Sequence, residues 1–455
     1  FSLGKRITAI SGRNATQKTT LLGLIGQPFT ISKAHPMNGC KTIDNYNFRS
    51  QFREKFKISE EHDIIGEHKW QLELNEHIYA KGRFIIESIA RKQAGKKTSL
   101  RFWNAESRSR GAGYIQLPVY FLSLSRLFPI GESGKTQEIL FDLTDEELNY
   151  CVENYRTILS IQHVSNPSIG IQKGTSSRVF AGISDSTHDI FTNSAGEGNV
   201  TRIILAVLSF KRLKEKYKKE YQGGILLIDE LDATLHGFSQ TKLVEYLWNA
   251  AGEYNIQIIF TTHSPIILNC VHGFQSQERY DKGTNLPLFA YDTSIVYLRP
   301  KYDAAGNRTI SIQNVTTSTE LSSCFCDINL SINSKEGKLN VYCEDTLATT
   351  FLKHALELVL GVNLDQYMTF VDIDLSWSNY IQLVDKGVPE FKKNVIVLDG
   401  DVCQNPGYSK IKGGRSKKMI VEEAGNILFL PLVIERDIFA FLKNHEEFSK
   451  FQVYC

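Results

Sequence analysis

Three short apolar runs do most to limit what this chain can fold into: Ile7-Thr-Ala-Ile10, Ile225-Leu-Leu-Ile228 and Ile256-Gln-Ile-Ile-Phe260. Each is strand-sized and lacks the in–out alternation of a half-exposed strand. Such residues are buried on both faces, as in a parallel sheet covered by helices. Segments of helical period, Thr19–Ile25, Val200–Tyr221 and about 238–252, lie between and after them. The expectation is an α/β fold with polar loops following the strands.

A chain of 455 residues is too long for one hydrophobic core, which implies two or three domains. With 42% apolar and 22% charged residues, the composition is that of an ordinary soluble globular protein. No apolar run approaches the roughly 20 residues of a membrane helix, and the start lacks the pattern of a signal peptide. No membrane association is expected. The eight cysteines are scattered, and the nearest pair, Cys324 and Cys326, has neither zinc nor redox spacing. They read as reduced thiols of a cytoplasmic protein. The net charge of +2 leaves room for a local basic patch. Because the chain opens at Phe1 and meets its first motif almost at once, missing strands upstream are expected.

Residues 27–110 mix short polar and aromatic segments, among them the basic stretch Arg91–Lys97. Tyr114–Leu127 reads as a buried strand with its exit loop, and Leu143-Thr-Asp-Glu-Glu147 as a helix start. The helix from Val200 turns strongly basic over Lys211–Lys219 before Gly223-Gly224 ends it. Alternating strands are expected near 294–313, and the Ser/Asn-rich stretch Asn329–Gly337 reads as a linker. A second α/β unit follows: strand 338–343, helix 346–360, strand about 368–372, helix 378–386 and strand 394–398.

The first chemical motif is Ser11-Gly-Arg-Asn-Ala-Thr-Gln-Lys-Thr-Thr20, set between a strand and a helix. In that setting backbone N–H groups at a helix N-terminus wrap nucleotide phosphates, a lysine bridges them and a hydroxyl holds Mg²⁺. Lys18 and Thr19 fit those two roles. Gly12 makes the entry turn, and Arg13, Asn14 and Thr20 complete the cradle. Downstream, Ile225–Ile228 runs into Asp229-Glu230: Asp229 to bind Mg²⁺ through water, Glu230 to polarise the attacking water.

The loop resembles the Gly-x-Asn-Gly-x-Gly-Lys-Ser/Thr of ABC and SMC ATPases, with Ala15 and Gln17 standing where that pattern has glycines. Leu231–His236 looks like the D-loop of those enzymes. Ser194-Ala-Gly-Glu-Gly-Asn199 resembles their signature, whose Ser and Gly reach the γ-phosphate bound by a partner subunit. By that resemblance Ser194, Gly196 and Glu197 are nucleotide-contacting, and His263 at the end of Ile259–Pro265 is the switch histidine. A signature acting in trans implies a homodimer or higher homo-oligomer around two nucleotides. Arg126 reads first as a packing arginine and second as a nucleotide or interface contact.

A second acidic set lies near the C-terminus. Leu339–Glu344 is a strand ending in an acid, and Asn394–Asp401 a buried strand ending in Asp399-Gly-Asp401. Alternate residues of a strand project to one side, so Asp399 and Asp401 are expected to share a divalent ion with Glu344 from a neighbouring parallel strand. The order is similar to that of Toprim domains. Ile427–Arg436 resembles the leucine-proline segment of Toprim nucleases, with Glu435 as a further metal ligand and Leu432 where that segment usually has glycine. The basic loop Lys410–Lys418 reads equally as a phosphate holder and as a solvated loop.

An ATPase followed by a Toprim domain resembles the overcoming-lysogenization-defect (OLD) family, with relatives in Gabija and retron systems of antiphage defence. The resemblance implies an ABC/SMC-like P-loop ATPase domain over 1–328 with a helical insertion and dimerisation region at about 60–175. It implies a Toprim domain over 338–455, expected to be incomplete at its C-terminus. It further implies ATP and Mg²⁺ or Mn²⁺ as cofactors, DNA as substrate, and metal-dependent endonuclease or nickase activity. Catalysis would rest on Glu344, Asp399, Asp401 and Glu230, and a reverse transcriptase with its DNA/RNA product or a helicase-like protein would be a companion. The competing reading is an ATP-gated DNA-binding sensor or scaffold that does not cut.

Overall fold

The computed structural model of the protein describes residues 1–49, 51–59, 61–75, 77–93, 96–109, 112–127, 137–173, 179–186, 189–302, 306–332, 339–360, 364–366, 368–371, 373, 375–411, 415–431 and 433–443. The chain divides into two compact units, Phe1–Arg299 with Ile310–Phe325, and Pro300–Thr309 with Cys326–Cys455. Among the described residues no helix is long and apolar enough to cross a membrane.

The first unit is built on a six-stranded sheet. Its order is Arg308–Val315, Thr293–Tyr302, Ile7–Gly12, Ile256–Thr262, Gly224–Ile228 and Val119–Leu122. The five strands from Thr293–Tyr302 to Val119–Leu122 run parallel. The three apolar runs form the middle of this sheet, and Ile7, Ile10, Leu226, Leu227, Ile258 and Ile259 are wholly buried. Each such side chain contributes about 1.5–3 kcal/mol when taken out of water. From Ile7–Gly12 the chain travels to the far edge at Val119–Leu122. It then returns strand by strand to Ile256–Thr262 and finally crosses over to Thr293–Tyr302. Connections therefore leave Ile7–Gly12 and Ile256–Thr262 in opposite directions, which opens a crevice at the carboxyl ends of those two strands.

The helix Ala195–Tyr217 is capped by Ser194 and Glu197, each side chain bonded to the other's backbone N–H. It is buried from Gly198 to Phe210 and turns to solvent only over its basic end. A second such box, Thr144 with Glu147, starts the helix Asp145–Leu159.

The expected helical insertion is largely β instead. Within 60–175 the described residues form an antiparallel sheet of Lys69–Glu73, Arg83–Gln93 and Lys96–Asn104, and strands Gln137–Leu140 and Ser168–Lys173. Asp145–Leu159 is the one long helix among them. The alternation of Lys69-Trp-Gln-Leu-Glu73 explains this: its even positions face inward and its odd ones outward, the period of a half-exposed strand. The segment also carries Val119–Leu122, an edge strand of the main sheet.

Gly12 closes the first strand at φ 150°, and a Cβ there would stand 2.4 Å from the carbonyl oxygen of Leu298. Gly12→Ala is therefore expected to destabilise the first unit by about 1–3 kcal/mol and to displace the loop that follows. Thermal unfolding checks the first effect. An unchanged midpoint contradicts it.

The second unit holds a four-stranded sheet, all parallel, in the order Met368–Val371, Leu339–Cys343, Val395–Leu398 and Ile427–Phe429. Tyr342, Tyr380, Ile381, Ile396 and Leu398 pack on one face, and Val341, Cys343, Ala348 and Val397 on the other. The chain leaves Leu339–Cys343 towards one edge and Val395–Leu398 towards the other, so a second crevice opens between their carboxyl ends. Residues 329–332, expected to be linker, end the helix Ser318–Ile332. The rest of that stretch, 333–337, lies outside the described residues.

Candidate functional site

The first crevice brings together the loop after Ile7–Gly12 and the ends of two other strands. Lys18 opens the helix Lys18–Gly26, and its ammonium donates to the carbonyls of Gly12 and Arg13, both at 2.9 Å. Burial holds the Lys18 pKa down, against the pull of Glu230, Asp229 and Asp232. Thr16 is buried and donates to the Arg13 carbonyl at 2.8 Å, which tightens the turn. Arg13 is half-buried, while Asn14, Thr19 and Thr20 are exposed.

Ala15 (φ 62°) and Gln17 (φ 63°) both adopt left-handed backbone. This conformation costs an L-residue roughly 1–2 kcal/mol. The loop therefore keeps its shape without the two glycines, at the expense of strain. Ala15→Gly with Gln17→Gly is expected to shift unfolding upward by about 1 kcal/mol or less, since glycine's extra freedom in the unfolded chain offsets part of the relief. The same pair is expected to tighten ATP binding. Equilibrium unfolding and ATP titration measure the two effects, and a loss of stability contradicts the strain argument.

Thr19 Oγ1 lies 3.0 and 3.1 Å from the two oxygens of the Asp229 carboxylate. Asp229 is buried and also accepts from Thr261 Oγ1 at 2.7 Å. The strand of Thr261 lies between those of the loop and of Asp229, so this threonine joins the two sides. The same Thr261 oxygen accepts from the Glu230 N–H at 2.7 Å, and the Glu230 carbonyl accepts from Arg126 Nη2 at 2.8 Å. These two bonds hold Glu230 in a left-handed conformation, φ 50°, at the strand end. Burial, then Asp229 and Asp232, raise the Glu230 pKa above the ordinary carboxylate range.

His263 donates its backbone N–H towards Asp232, at 3.3 and 3.4 Å. Burial lowers its pKa, and Lys18 lowers it further. Lys18, Asp229, Glu230, Asp232 and His263 thus share one electrostatic neighbourhood. A hydroxyl and a carboxylate side by side, beside a lysine, fit a hard divalent cation and the phosphates of a nucleotide. Thr19 and Asp229 would hold Mg²⁺ here.

Ser194, Gly196 and Glu197 sit elsewhere. Their helix start lies against the segment after Glu230: a Cβ on Gly196 would meet the Thr234 carbonyl at 2.8 Å, and Asn199 Nδ2 donates to the Ala233 carbonyl at 2.9 Å. Ser194 is exposed, and Glu197 accepts from the Tyr155 hydroxyl at 3.0 Å. Arg126 is buried, with its donors on Asn199, on the carbonyls of Leu122 and Ser123 and on that of Glu230. It packs the strand end.

In the second crevice Glu344 follows Leu339–Cys343 and Asp399 follows Val395–Leu398. Glu344 Oε1 accepts the Asp399 N–H at 3.0 Å, and the Trp377 N–H also donates to this carboxylate. Burial raises the Glu344 pKa, and Asp399 and Asp401 add to the rise while the two backbone donors oppose it. All three carboxylates are therefore neighbours. Tyr380, fully buried, donates to the Cys343 carbonyl at 2.9 Å and fixes the strand end before Glu344.

Asp399 and Asp401 do not continue the strand as expected. The strand stops at Leu398, and the Val402 N–H closes a turn on the Asp399 carbonyl at 3.3 Å. Asp399 is half-buried and Asp401 exposed, and Asp401 has helical rather than extended backbone (φ −85°, ψ −12°), so strand alternation does not govern this pair. Among the described residues no group of three or more His, Cys, Asp or Glu side chains is arranged to hold a metal ion. Glu344 accepts from two backbone donors, and Asp399 and Asp401 both act on its charge. Its hard oxygens suit Mg²⁺ or Mn²⁺ in kind. Arg436 feels the charge of Asp401, which brings the start of the helix Ile434–Lys443 near. The side chain of Glu435 lies outside the described residues, as do Leu432 and residues 412–414 of the basic loop.

Thr261, Asp232, Trp377 and Tyr380 were given no role of their own from the sequence, although Asp232 lies in the D-loop-like segment Leu231–His236. The pair Thr261-Thr262 at the end of an apolar strand was the available signal for the first. The other three depend on contacts distant in sequence.

Residues 124–268 match the family model of an AAA ATPase domain. The matched segment contains Asp229, Glu230 and His263 but not the phosphate loop. No curated protein matches the chain. Among solved structures, the SMC head domain from Thermotoga maritima is 12% identical with a TM-score of 0.33, over 69% of this chain and 93% of its own. An SMC head bound to the C-terminal winged-helix domain of ScpA is 13% identical with a TM-score of 0.36, over 70% and 93%. An SMC head with an extended coiled coil from Pyrococcus furiosus is 11% identical with a TM-score of 0.33, again over 70% and 93%. The family match makes residues 124–268 similar to an ATPase domain, which implies ATP binding with its usual Mg²⁺.

Proposed function

We propose that the protein is an ATP-binding, metal-dependent DNA endonuclease in which the first unit binds ATP and the second hydrolyses phosphodiester bonds. Two copies of the chain clamp two nucleotides, with the helix start at Ser194, Gly196 and Glu197, exposed at Ser194, offered to the partner's γ-phosphate. Lys18 neutralises phosphate charge, Thr19 and Asp229 hold Mg²⁺, Glu230 orients water, and His263 lies beside the same carboxylates. The domains follow as 1–328 for the ATPase and 338–455 for the Toprim-like part.

The observation that carries the nuclease reading is the 3.0 Å contact of Glu344 with the Asp399 N–H across adjacent parallel strands, in the crevice where such sheets bind ligands. On this reading Glu344, Asp399 and Asp401, helped by Glu435, hold Mg²⁺ or Mn²⁺. A divalent ion at such a site activates water and offsets charge on the scissile phosphate. A role in antiphage defence, in cytoplasm, with or without a reverse transcriptase or helicase-like companion, is the corresponding biological setting.

A second reading has its own observation. Glu344 already rests on two backbone donors, and no convergent ligand trio occurs among the described residues. This favours an ATP-gated DNA-binding scaffold that does not cut. Supercoiled, linear and single-stranded DNA incubated with the protein, with metal and ATP varied separately, decides between them. Metal-dependent products that disappear in Asp399→Ala support the nuclease. Products that persist in Asp399→Ala and Glu344→Ala, or metal-independent binding with no products, sink it.

A further inference from the structure

A second polar cavity lies in the first unit, and no residue of the phosphate loop is among its described lining residues. It encloses about 70 Å³, room for several waters or one small ion. Arg126 and Arg202 line it, 2% and 7% exposed. Tyr46 and Tyr120 also line it, as do the exposed Arg49 and Ser125.

The described lining residues include three arginines and no carboxylate. Asp44, buried and not among those lining residues, accepts from Arg202 Nη2 at 3.1 Å, Tyr120 Oη at 2.6 Å and Thr42 Oγ1 at 2.5 Å. Asp44 thus offsets one of the three positive charges. Arg126 spends its donors on neutral oxygens, with Asp229, Glu230 and Asp232 acting on it at longer range and Arg202 opposing it. Two buried like charges facing one space are favoured by an anion placed between them. Guanidinium forks and hydroxyls suit a tetrahedral oxyanion in particular.

We infer that this cavity is a binding site for a small oxyanion of the phosphate class, distinct from the phosphate loop. Its size suits a free anion or the terminal phosphate of a chain, not an internal phosphate held on both sides. The site stands whether or not the second unit cuts DNA.

The test is calorimetric titration of the full chain with inorganic phosphate at constant ionic strength. A Lys18→Ala background removes the phosphate loop's own cation. Phosphate is expected to bind this protein still, and adding Arg49→Glu is expected to weaken binding at least tenfold. Arg49 is exposed, so that change leaves the fold intact. Arg202→Gln, checked by circular dichroism, gives a second reading of the same loss. Competition by a 5′-phosphorylated tetranucleotide, but not by its 5′-hydroxyl form, assigns a chain end as the source; competition by neither assigns the free anion. ATP binding, followed separately, is expected to survive Arg49→Glu, so failure of the ATPase reading shows on its own. Phosphate binding that vanishes with Lys18→Ala alone, or that ignores Arg49→Glu, overturns the inference.

Discussion

Glu230→Gln is expected to lower ATP hydrolysis by about 10²–10⁴-fold, the usual contribution of a positioned general base, while ATP still binds. The Glu230 backbone is held left-handed by Thr261 at its N–H and by Arg126 at its carbonyl, neither of which the substitution touches. The carboxylate faces Lys18, Asp229 and Asp232, where burial and like charge keep its pKa high. Such a group takes up a proton more readily than an ordinary glutamate, as a base for water requires. Gln keeps the shape and loses that capacity. Single-turnover hydrolysis and ATP binding, measured side by side, check the split. Equal loss of both means that Glu230 is a binding or structural residue.

Glu344→Gln is expected to abolish metal-dependent DNA cleavage and, in chelator at neutral pH, to stabilise the second unit. The folded-state pKa of Glu344 is raised by burial and by Asp399 and Asp401. A carboxyl whose pKa rises on folding favours the folded state only while protonated, below its ordinary value. That contribution is lost as pH rises through the raised value, so near pH 7 the wild-type chain carries a disfavoured buried charge. Gln carries none and keeps an oxygen for the Asp399 N–H. The gain is therefore expected at pH 7 and should fade below about pH 4, where glutamate is protonated in both states. Thermal unfolding in chelator at the two pH values measures it. A variant that is less stable at pH 7 contradicts the electrostatic account, and one that still cuts contradicts the catalytic one.

These two acids differ in how readable they were. Asp229-Glu230 directly follows a short apolar run set off by Gly223-Gly224, the length and boundary of a buried strand, which puts the acids at its carboxyl end. The same logic placed Glu344 and Asp399 after strands, and those strands form with ends within about a residue of expectation. The reach of Asp401 was misjudged because strand geometry was carried past Leu398, where a backbone hydrogen bond had already turned the chain. The expected helical insertion failed for a related reason. Alternation over 69–104 is weak residue by residue, and it becomes decisive only when three strands pair.

What the amino-acid order determined by itself was local: which runs are buried strands, which helices are capped, and which polar residues stand at strand ends. Those follow from burial and from backbone hydrogen bonds within a few residues. What only tertiary structure decided was adjacency. The strand of Thr261 lies between the phosphate loop and Asp229, the helix start at Ser194 packs on Ala233 and Thr234, and Arg126 bonds Asn199 and the Glu230 carbonyl. Ala15 and Gln17 adopt a backbone better suited to glycine. Each depends on sheet order and on long-range packing whose energy no short segment contains.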